Sequence, residues 1–396
     1  MTNKQYRFNG YTLDDLAIIA GSTPAYIYGR QLLENRIAQL KNYLPEDIAL
    51  HYSIKANPHP QTVSAIASSV DGLDVSSHAE MLLAIATGIP RRYISFSGPG
   101  KSEAELKAAI GAGIIIHVES LSELNRIIEI SEQLGTAANL VLRINPDFTT
   151  RQSGMVMGGG SQPFGIDLER ASDALQKIKA HDLQCQGLHC YSGSQMLNAT
   201  VVAELQANTL DMMLKLVVDQ ELSKVSLNIG GGFGVPYFAN EKPLDLQLVA
   251  NQLDKKMDSF RINTDIEKII IELGRSLVAE SGIYLARIVE KKVSRGTIYL
   301  VLEGGMNHNL AASGNLGQVI RRNYPFECSG STNNTGKETV TVVGPLCTPL
   351  DVLGADVELP VLFPGDLVAI RNSGAYGYSA SPHKFLSHSP PSEILI

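Results

Sequence analysis

A lysine ends an apolar run that has the alternation of a buried β-strand. In residues 48–55, the apolar side chains of Ile48, Leu50, Tyr52 and Ile54 alternate with a less apolar face that ends at Lys55. A lysine side chain that is shielded from solvent loses its proton more easily, so its amine becomes a nucleophile suited to Schiff-base chemistry. A strand-end lysine can equally reach solvent. Its role therefore depends on the residues around it.

Three glycines and an arginine have the composition of a phosphate site. Gly230, Gly231 and Gly232 follow one predicted strand, and Arg275 follows the next. Glycine lets backbone N–H groups approach a phosphate closely, and a guanidinium can bind the same phosphate through two N–H groups. A tight turn would explain the glycines alone equally well. The arginine at the neighbouring strand end favours phosphate.

A phosphate site together with a strand-end lysine indicates pyridoxal phosphate, with Lys55 as the covalent attachment point. Glu272 then has a role at the pyridine nitrogen of the cofactor. A carboxylate there keeps the nitrogen protonated and makes the ring a strong electron acceptor. An ion pair between Glu272 and Arg275 is the alternative, and the spacing permits both arrangements.

Eight short apolar runs must position these residues. Most are followed by amphipathic stretches, at 78–87, 101–110, 121–134, 167–180, 198–219 and 247–259. Eight βα units at this spacing predict a (β/α)8 barrel with its active site at the C-terminal strand ends, and a doubly wound open sheet is the alternative. The runs are residues 48–55, 73–75, 93–96, 114–118, 140–144, 186–191, 225–229 and 269–273.

The pattern changes to strands without helices after residue 282. We expect an all-β domain at 283–396, a barrel domain at 29–282, and an N-terminal segment at 1–28 that pairs with the β domain. Two loops, 149–164 and 304–331, exceed the usual connection length and are typical of functional segments. The predicted strands of the second domain are 284–293, 297–302, 339–343, 357–362 and 367–371.

The composition is that of an ordinary acidic globular protein. The 396 residues are 44% hydrophobic and 18% charged, with a net charge of −7 and no basic tract, which argues against nucleic acid or an anionic membrane as partner. The first residues lack an apolar core and no run approaches the ~20 residues of a membrane span, so we expect a cytoplasmic protein. The four cysteines form no Cys-x-x-Cys pair, so we expect neither a metal site nor disulfides.

The motifs resemble those of the fold-type III pyridoxal-phosphate decarboxylases, which include diaminopimelate and ornithine decarboxylases. The resemblance implies a (β/α)8 barrel that binds pyridoxal phosphate, a C-terminal β-barrel or β-sandwich domain as in alanine racemases, and a head-to-tail homodimer. The motifs are Ser53-Ile-Lys-Ala-Asn57, Gly187-Leu-His-Cys-Tyr-Ser-Gly-Ser-Gln195, Gly230-Gly-Gly232, Glu272-x-Gly-Arg275, Gly344-Pro-Leu-Cys-Thr348 and Gly374-Ala-Tyr-Gly377.

The resemblance also assigns roles to individual residues. Cys347 of one subunit is implied to protonate the substrate carbon in its partner's active site, which makes Lys55, Glu272 and Cys347 the catalytic set. The family usually stacks a histidine on the cofactor where this chain has Tyr191. Glu80 matches a further position around the cofactor. The cofactor-binding positions implied are Lys55, Asp74, Arg143, Tyr191, Ser194, Gly230, Gly231, Gly232, Glu272, Gly274, Arg275 and Tyr376.

Two departures from the family pattern concern the substrate. Thr348 follows Cys347 where ornithine and diaminopimelate enzymes place the Asp or Glu that binds the distal ammonium. An unpaired buried ammonium costs several kcal/mol, enough to reject a diamine by about 10⁴-fold. The stretch 304–312, which contains His308, lacks the arginine of the diaminopimelate enzymes.

Runs at 96–101, 230–238, 322–325, 344–349 and 372–377 resemble a branch that acts in butirosin biosynthesis on L-glutamate tethered to an acyl-carrier protein. The candidate substrate-binding residues are Thr348, Arg322, Tyr324 and His308.

We therefore expect an α-decarboxylase for an amino acid or derivative with a non-cationic distal group, with carrier-tethered glutamate as one candidate. Decarboxylation of diaminopimelate, ornithine or lysine is an alternative. An amino-acid racemase is a further alternative. Alanine racemases, however, place an arginine at the pyridine nitrogen, where the resemblance gives this chain Glu272. A non-catalytic pyridoxal-phosphate carrier is the alternative of a different class, and such proteins lack a second domain.

Overall fold

The computed structural model describes residues 6–149, 155–259, 265–318, 320–329 and 336–396. Backbone contacts separate two compact units. The barrel unit contains Arg36–Val235 and Lys242–Ser276, and the β unit contains Met1–Asn35, Pro236–Glu241 and Leu277–Ile396. The domain boundaries expected after residues 28 and 282 stay a prediction.

Strands and helices alternate through the barrel unit, whereas the β unit consists mainly of strands. The strands are β1 (Ala25–Tyr28), β2 (Ile48–Ser53), β3 (Gly72–Val75), β4 (Ile94–Phe96), β5 (Ile115–Val118), β6 (Asn139–Asn145), β7 (Met155–Val156), β8 (Ile166–Asp167), β9 (Gln184–His189), β10 (Gly193–Ser194), β11 (Val225–Gly231), β12 (Ile266–Leu273), β13 (Gly282–Ser294), β14 (Thr297–Leu302), β15 (Phe326–Cys328), β16 (Lys337–Val343), β17 (Val352–Pro360), β18 (Leu367–Ile370) and β19 (Ser392–Leu395). The helices are α1 (Leu13–Ala20), α2 (Arg30–Tyr43), α3 (Pro60–Ala67), α4 (His78–Ala86), α5 (Glu103–Ala112), α6 (Leu121–Leu134), α7 (Leu168–Ala180), α8 (Ala199–Asp219), α9 (Leu246–Asp258) and α10 (Arg275–Val278).

Eight parallel strands close into a barrel. They are β2, β3, β4, β5, β6, β9, β11 and β12, and each pairs in parallel with the next. Strand β12 pairs in turn with β2, where Glu272 is opposite His51. The closure confirms the predicted (β/α)8 barrel and rules out an open sheet. It also brings the C-terminal ends of all eight strands to one mouth.

Polar caps begin several of the barrel helices. The side chains of Ser77, Ser102, Ser120, Asn198 and Asp245 each accept a hydrogen bond from a backbone N–H in the first turn of α4, α5, α6, α8 and α9. Such caps satisfy N–H groups that have no partner within the helix. The caps therefore fix where each of these helices begins, after the loop that follows the preceding strand.

The predicted extension of the first barrel strand to Lys55 is wrong. Strand β2 ends at Ser53, and Ile54–Ala56 form a single 3₁₀ turn. Local hydrogen bonds explain the turn, because the N–H of Asn57 donates to the carbonyl of Ile54 at 2.9 Å and the Tyr52 hydroxyl donates to the Asn57 carbonyl at 2.9 Å. Lys55 therefore projects from a turn after the strand.

The β unit contains a mixed sheet in the order β15-β18-β13-β14-β16-β17. Strand β1 pairs antiparallel with β13 and parallel with β19. Helix α1 packs into the same core, where Leu13, Leu16, Ile27, Ile283 and Leu367 are buried together. Among the described residues, no helix is both long and apolar enough to cross a bilayer.

Candidate active site

The amine of Lys55 lies between two buried carboxyl groups. Its Nζ is 3.5 Å from Oδ2 of Asp74, at the end of β3, and 3.8 Å from Oε1 of Glu272, at the end of β12. The Lys55 side chain is 41% exposed, whereas both carboxyl groups are buried. A reactive amine is thus accessible from solvent while its charge partners are not.

Glu272 is held as a carboxylate. It accepts hydrogen bonds from the Ser53 hydroxyl at 2.8 Å and from Nδ2 of Asn228 at 3.2 Å. Burial alone would raise the pKa of Glu272, but the positive charge of Lys55 and the hydrogen bond from Ser53 lower it below its ordinary value. The barrel therefore contains a buried anion at the predicted position of the pyridine nitrogen.

The pKa of Asp74 is shifted in the opposite direction from that of Glu272. Burial, reinforced by the negative charge of Glu272, raises the pKa of Asp74 well above its ordinary value. Its Oδ1 accepts hydrogen bonds from Ser97 at 2.6 Å and from Ser95 at 3.2 Å. The two carboxyl groups thus titrate as a pair, and Asp74 is the member that keeps a proton at higher pH.

Three buried histidines line the same region, and none of them is in the predicted site. Nδ1 of His117 lies 2.9 Å from the Ser97 hydroxyl, the rings of His117 and His189 are 4.5 Å apart, and Nε2 of His189 is 3.6 Å from Oε2 of Glu272. Burial lowers the pKa of His51, His117 and His189. The imidazoles are therefore neutral at neutral pH. His117 on β5 and His189 on β9 are separated by β6, and their rings meet inside the closed barrel, which sequence spacing does not reveal.

Arg143, near the end of β6, pairs with a glutamate outside the predicted set. Its Nη1 donates to Oε1 of Glu119 at 2.7 Å, and its Cζ lies 5.0 Å from the ring centre of Phe164. Both members of the ion pair are buried. The guanidinium of Arg143 thus has a defined orientation at a strand end.

The three glycines are required by the packing of the barrel itself. Gly230 and Gly232 have left-handed backbones, with φ of +68° and +71°. A Cβ on Gly230 would lie 2.8 Å from the Cys190 carbonyl oxygen, and a Cβ on Gly232 would overlap the carbonyl oxygen of Gly193. The glycines are thus explained by the packing at the irregular end of β11, where its register with β12 shifts between Asn228 and Gly231, and the phosphate role stays a prediction beside it.

Asn228 joins this glycine segment to the carboxylate of Glu272. Its Oδ1 accepts the N–H of Gly230 at 2.9 Å, while its Nδ2 donates to Glu272. Sequence analysis missed Asn228 as a functional residue. Its position in the motif Asn-Ile-Gly-Gly-Gly was the available signal.

The other predicted cofactor residues of the barrel unit also lie at strand ends. A Cβ on Gly274 would come within 2.9 Å of Ala56 in the Lys55 turn, so β12 passes close to that turn. Arg275 begins α10, Tyr191 follows β9, and Ser194 belongs to β10. Oε2 of Glu80 accepts the N–H of Ser76 at 2.7 Å. Residues 150–154 of the long loop after β6 lie outside the described part of the chain.

In the β unit, Cys347 lies on a loop fixed by Asp351. Cys347 is exposed, and Asp351 is buried with its carboxylate accepting the N–H groups of Met306 at 2.6 Å and Leu346 at 2.8 Å. The Thr348 hydroxyl accepts the N–H of Leu350 at 3.3 Å. The loop thus presents Cys347 and Thr348 while Asp351 faces inward.

Three further candidates make defined contacts within the β unit. Arg322 donates to Oε1 of Glu241 at 3.0 Å with its Cζ 3.7 Å from the ring centre of Phe238, and Tyr324 is buried. His308 is buried, its Nε2–H donates to the Ser389 carbonyl oxygen at 2.9 Å, and its Nδ1 lies 3.3 Å from the Tyr284 hydroxyl.

Tyr376 has a left-handed backbone, with φ of +54°, in the turn between Gly374 and Gly377. The roles of Arg322, Tyr324, His308 and Tyr376 stay predictions. Residues 319 and 330–331 of the 304–331 loop lie outside the described part.

The residues around Lys55 fit pyridoxal phosphate. An accessible amine suits covalent attachment of an aldehyde, and a buried carboxylate 3.8 Å away suits a protonated ring nitrogen. Within the described residues, Oδ2 of Asp74 and both ring nitrogens of His189 are buried without a hydrogen bond. Buried polar atoms are normally satisfied, so these atoms are consistent with a polar ligand at this position.

Comparison with known proteins gives matches along nearly the whole chain. The family model "pyridoxal-dependent decarboxylase, pyridoxal binding domain" matches residues 30–279. The L-glutamyl-[BtrI acyl-carrier protein] decarboxylase of Niallia circulans is 37% identical over 94% of this chain and 88% of that protein.

Two further matches have different named substrates. The 2-[(L-alanin-3-ylcarbamoyl)methyl]-2-hydroxybutanedioate decarboxylase of Staphylococcus aureus is 28% identical over 94% of this chain and 93% of that protein. The structure of diaminopimelate decarboxylase from Helicobacter pylori complexed with L-lysine has a TM-score of 0.87 at 27% identity, covering 97% of this chain and 94% of that one.

Proposed function

The chain belongs to the pyridoxal-dependent decarboxylases, and we propose that its substrate is an amino acid or derivative whose distal group carries no positive charge. Pyridoxal phosphate is the cofactor, and the reaction is decarboxylation of an amino acid. The distal group is the open question, because the relatives that match this chain differ in it.

The loop 344–351 is the observation that carries this proposal. Thr348 follows Cys347, and Asp351 is the one carboxylate of these eight residues. Asp351 is 3% exposed and already accepts two backbone N–H groups, so it is not placed to pair with an ammonium. A diamine bound here would lack its counter-charge, whereas a thioester, an amide or a thioether would not need one.

L-Glutamate tethered through its side-chain carboxyl to an acyl-carrier protein is the first candidate within this class. The N. circulans relative is named for a carrier-bound glutamyl group. The name of the S. aureus relative likewise joins the amino-acid part to a larger group, through a carbamoyl link. A site without an ammonium partner is compatible with either type of distal group.

Different residues of the chain bind the cofactor and transfer the proton. Bound pyridoxal phosphate supplies the electron acceptor for the bond that breaks. Lys55 holds the cofactor through its amine, Glu272 binds the proton on the ring nitrogen, and Gly230, Gly231 and Gly232 with Arg275 offer donors to the phosphate. In a homodimer, the exposed thiol of Cys347 returns a proton to the α-carbon in the partner's site.

Carbon dioxide release from a set of amino acids tests the substrate class. The set contains carrier-bound L-glutamate, free L-glutamate, ornithine, lysine and meso-diaminopimelate, with the Lys55→Ala variant as the blank. We expect turnover of a substrate with an uncharged distal group and about 10⁴-fold lower kcat/KM for the diamines. Rapid turnover of meso-diaminopimelate or ornithine would overturn the assignment.

Mixed dimers test the shared active site. Lys55→Ala and Cys347→Ala disable different parts, so a dimer of one variant with the other keeps one intact site. We expect equal mixing of the two inactive variants to restore about a quarter of wild-type activity. No recovery after subunit exchange, shown by native mass spectrometry, would contradict a site shared between subunits.

A further inference from the structure

Glu119 is a buried carboxylate that bonds three separate segments at the barrel mouth. It directly follows β5 and is 4% exposed. Its Oε1 accepts the N–H of Gly98 at 2.6 Å and Nη1 of Arg143 at 2.7 Å, and its Oε2 accepts the N–H of Gly165 at 3.3 Å. One side chain thus connects the loop after β4, the end of β6 and the residue before β8.

A second buried pair fixes Glu119. Oε2 of Glu123 accepts the backbone N–H of Glu119 at 2.7 Å, and Oε1 of Glu123 lies 3.0 Å from Nζ of Lys101. The same ammonium donates to the carbonyls of Gly98 at 2.6 Å and His117 at 2.9 Å. The pair therefore holds the backbone N–H of Glu119 and the carbonyls of His117 and Gly98, and its charges are compensated within the barrel.

Arg143 is oriented by this arrangement. A guanidinium has five N–H donors in a rigid fork, and Glu119 receives one of them. The Phe164 ring packs beside the guanidinium, whose side chain is only 8% exposed. Once Glu119 fixes one end of the fork, the direction of the other donors is set before any anion binds.

We propose that Glu119 is a positioning residue, which preorganises Arg143 to bind an anionic group of the cofactor or substrate. This inference rests on the proposed place of Arg143 in the site. A charge-assisted hydrogen bond in a buried site is among the stronger polar contacts in proteins. Loss of the Glu119 charge therefore changes ligand binding through Arg143.

The test compares Glu119→Gln, Arg143→Met and the double variant. Pyridoxal phosphate affinity is measured by absorbance titration of the apoprotein, and KM and kcat by carbon dioxide release. We expect Glu119→Gln to weaken ligand binding by about 10- to 100-fold. The double variant should bind no more weakly than Arg143→Met alone, because both substitutions remove the same interaction. An effect on cofactor affinity assigns the anion to the cofactor, and an effect on KM alone assigns it to the substrate.

Glu338→Gln is the matched control. Glu338 lies in β16 of the β unit, where it forms a largely buried ion pair with Lys291, so its replacement also removes a charge and costs stability. We expect a lower Tm for Glu338→Gln, with cofactor affinity and KM within about twofold of wild type. Additive effects of the two site substitutions, or equal binding losses in Glu119→Gln and Glu338→Gln, would overturn the proposal.

Failure of the inference can be separated from failure of the proposed site. If Arg143→Met leaves cofactor affinity and KM unchanged, the assignment of Arg143 is wrong and the inference is wrong with it. If Arg143→Met weakens binding and Glu119→Gln does not, only the role of Glu119 is wrong. Neither result depends on which amino acid the enzyme decarboxylates.

Discussion

Oδ2 of Asp74 lies 3.5 Å from the amine of Lys55, where the turn after β2 meets the end of β3. The carboxyl group of Asp74 is fully buried, whereas the Lys55 side chain is partly exposed. Glu272 adds a second carboxyl group next to the same amine. The protonation of Asp74 and Glu272 and the charge of Lys55 are therefore linked.

This linkage predicts a pH dependence of stability in the apoprotein. Because burial and Glu272 raise the pKa of Asp74, the folded protein keeps a proton that the unfolded chain releases above pH ~4. Stability therefore falls as the pH rises above that value. Asp74→Asn cannot titrate, so its free energy of unfolding relative to wild type should increase between pH 5 and pH 8, measured by urea denaturation.

The exposed Asp173 provides a control for Asp74. It pairs with Arg170 at 2.8 Å, and both side chains are more than half exposed. Asp173→Asn replaces the same side chain in an exposed ion pair and serves as the reference for the substitution itself. If Asp74→Asn has the same pH slope as Asp173→Asn, Asp74 does not hold a proton in the folded apoprotein.

Covalent attachment of the cofactor should depend on Lys55 and not on a lysine of similar exposure. Lys41 is 40% exposed and lies 3.2 Å from Asp71, so it matches Lys55 in both exposure and ion pairing. After incubation with pyridoxal phosphate and borohydride, Lys55→Ala should carry no adduct by peptide mass spectrometry. Lys41→Ala should be labelled like wild type, and labelling of Lys55→Ala elsewhere in the barrel would refute the assignment.

Sequence periodicity was sufficient to predict the barrel. The eight apolar runs correspond to the eight strands that close it, and Ser or Asp caps before α4, α5, α6 and α9 indicated where helices begin. Some short strands, such as β10, β15 and β19, were missed because they lie outside the alternation of strands and helices, whereas the equally short β3, β4 and β5 were predicted within it.

The interior of the site was less predictable. Asn228 bonds both Gly230 and Glu272, and Glu119 bonds donors from two loops and from strand β6. These contacts depend on which strands become neighbours after closure, and no local pattern encodes that. The Lys55 turn was missed for a related reason, because hydrogen bonds from Asn57 and Tyr52 end the strand before its apolar alternation ends.

Gly232→Ala should destabilise the protein even without cofactor. Its backbone is left-handed, and the added Cβ would overlap the carbonyl oxygen of Gly193. Strain and overpacking together should cost at least about 2 kcal/mol of unfolding free energy. Gly100 is a suitable control, because no atom lies within 4 Å of a Cβ at that position, and Gly100→Ala should stay within about 0.5 kcal/mol. Equal stability of the two variants in chemical denaturation would contradict the packing described here.

Substitution of Thr348 should change substrate preference. The Thr348 hydroxyl accepts only a local backbone N–H, and the nearby Asp351 is committed to the N–H groups of Met306 and Leu346. Thr348→Asp would add a carboxylate to a loop whose one carboxylate, that of Asp351, is already bonded to backbone N–H groups. An ammonium on the substrate would then gain a charge-assisted hydrogen bond, so the ratio of kcat/KM for ornithine to that for a substrate with an uncharged distal group should rise about 10- to 100-fold.

Thr348→Val separates this effect from the loss of the hydroxyl. Valine has nearly the shape of threonine without its polar group, so this variant should leave the preference for uncharged distal groups in place. Competition between the two substrates in one reaction measures the ratio directly, because both meet the same enzyme concentration. If Thr348→Asp and Thr348→Val have the same ratio, residue 348 does not contact the distal group, and the specificity is set by other residues.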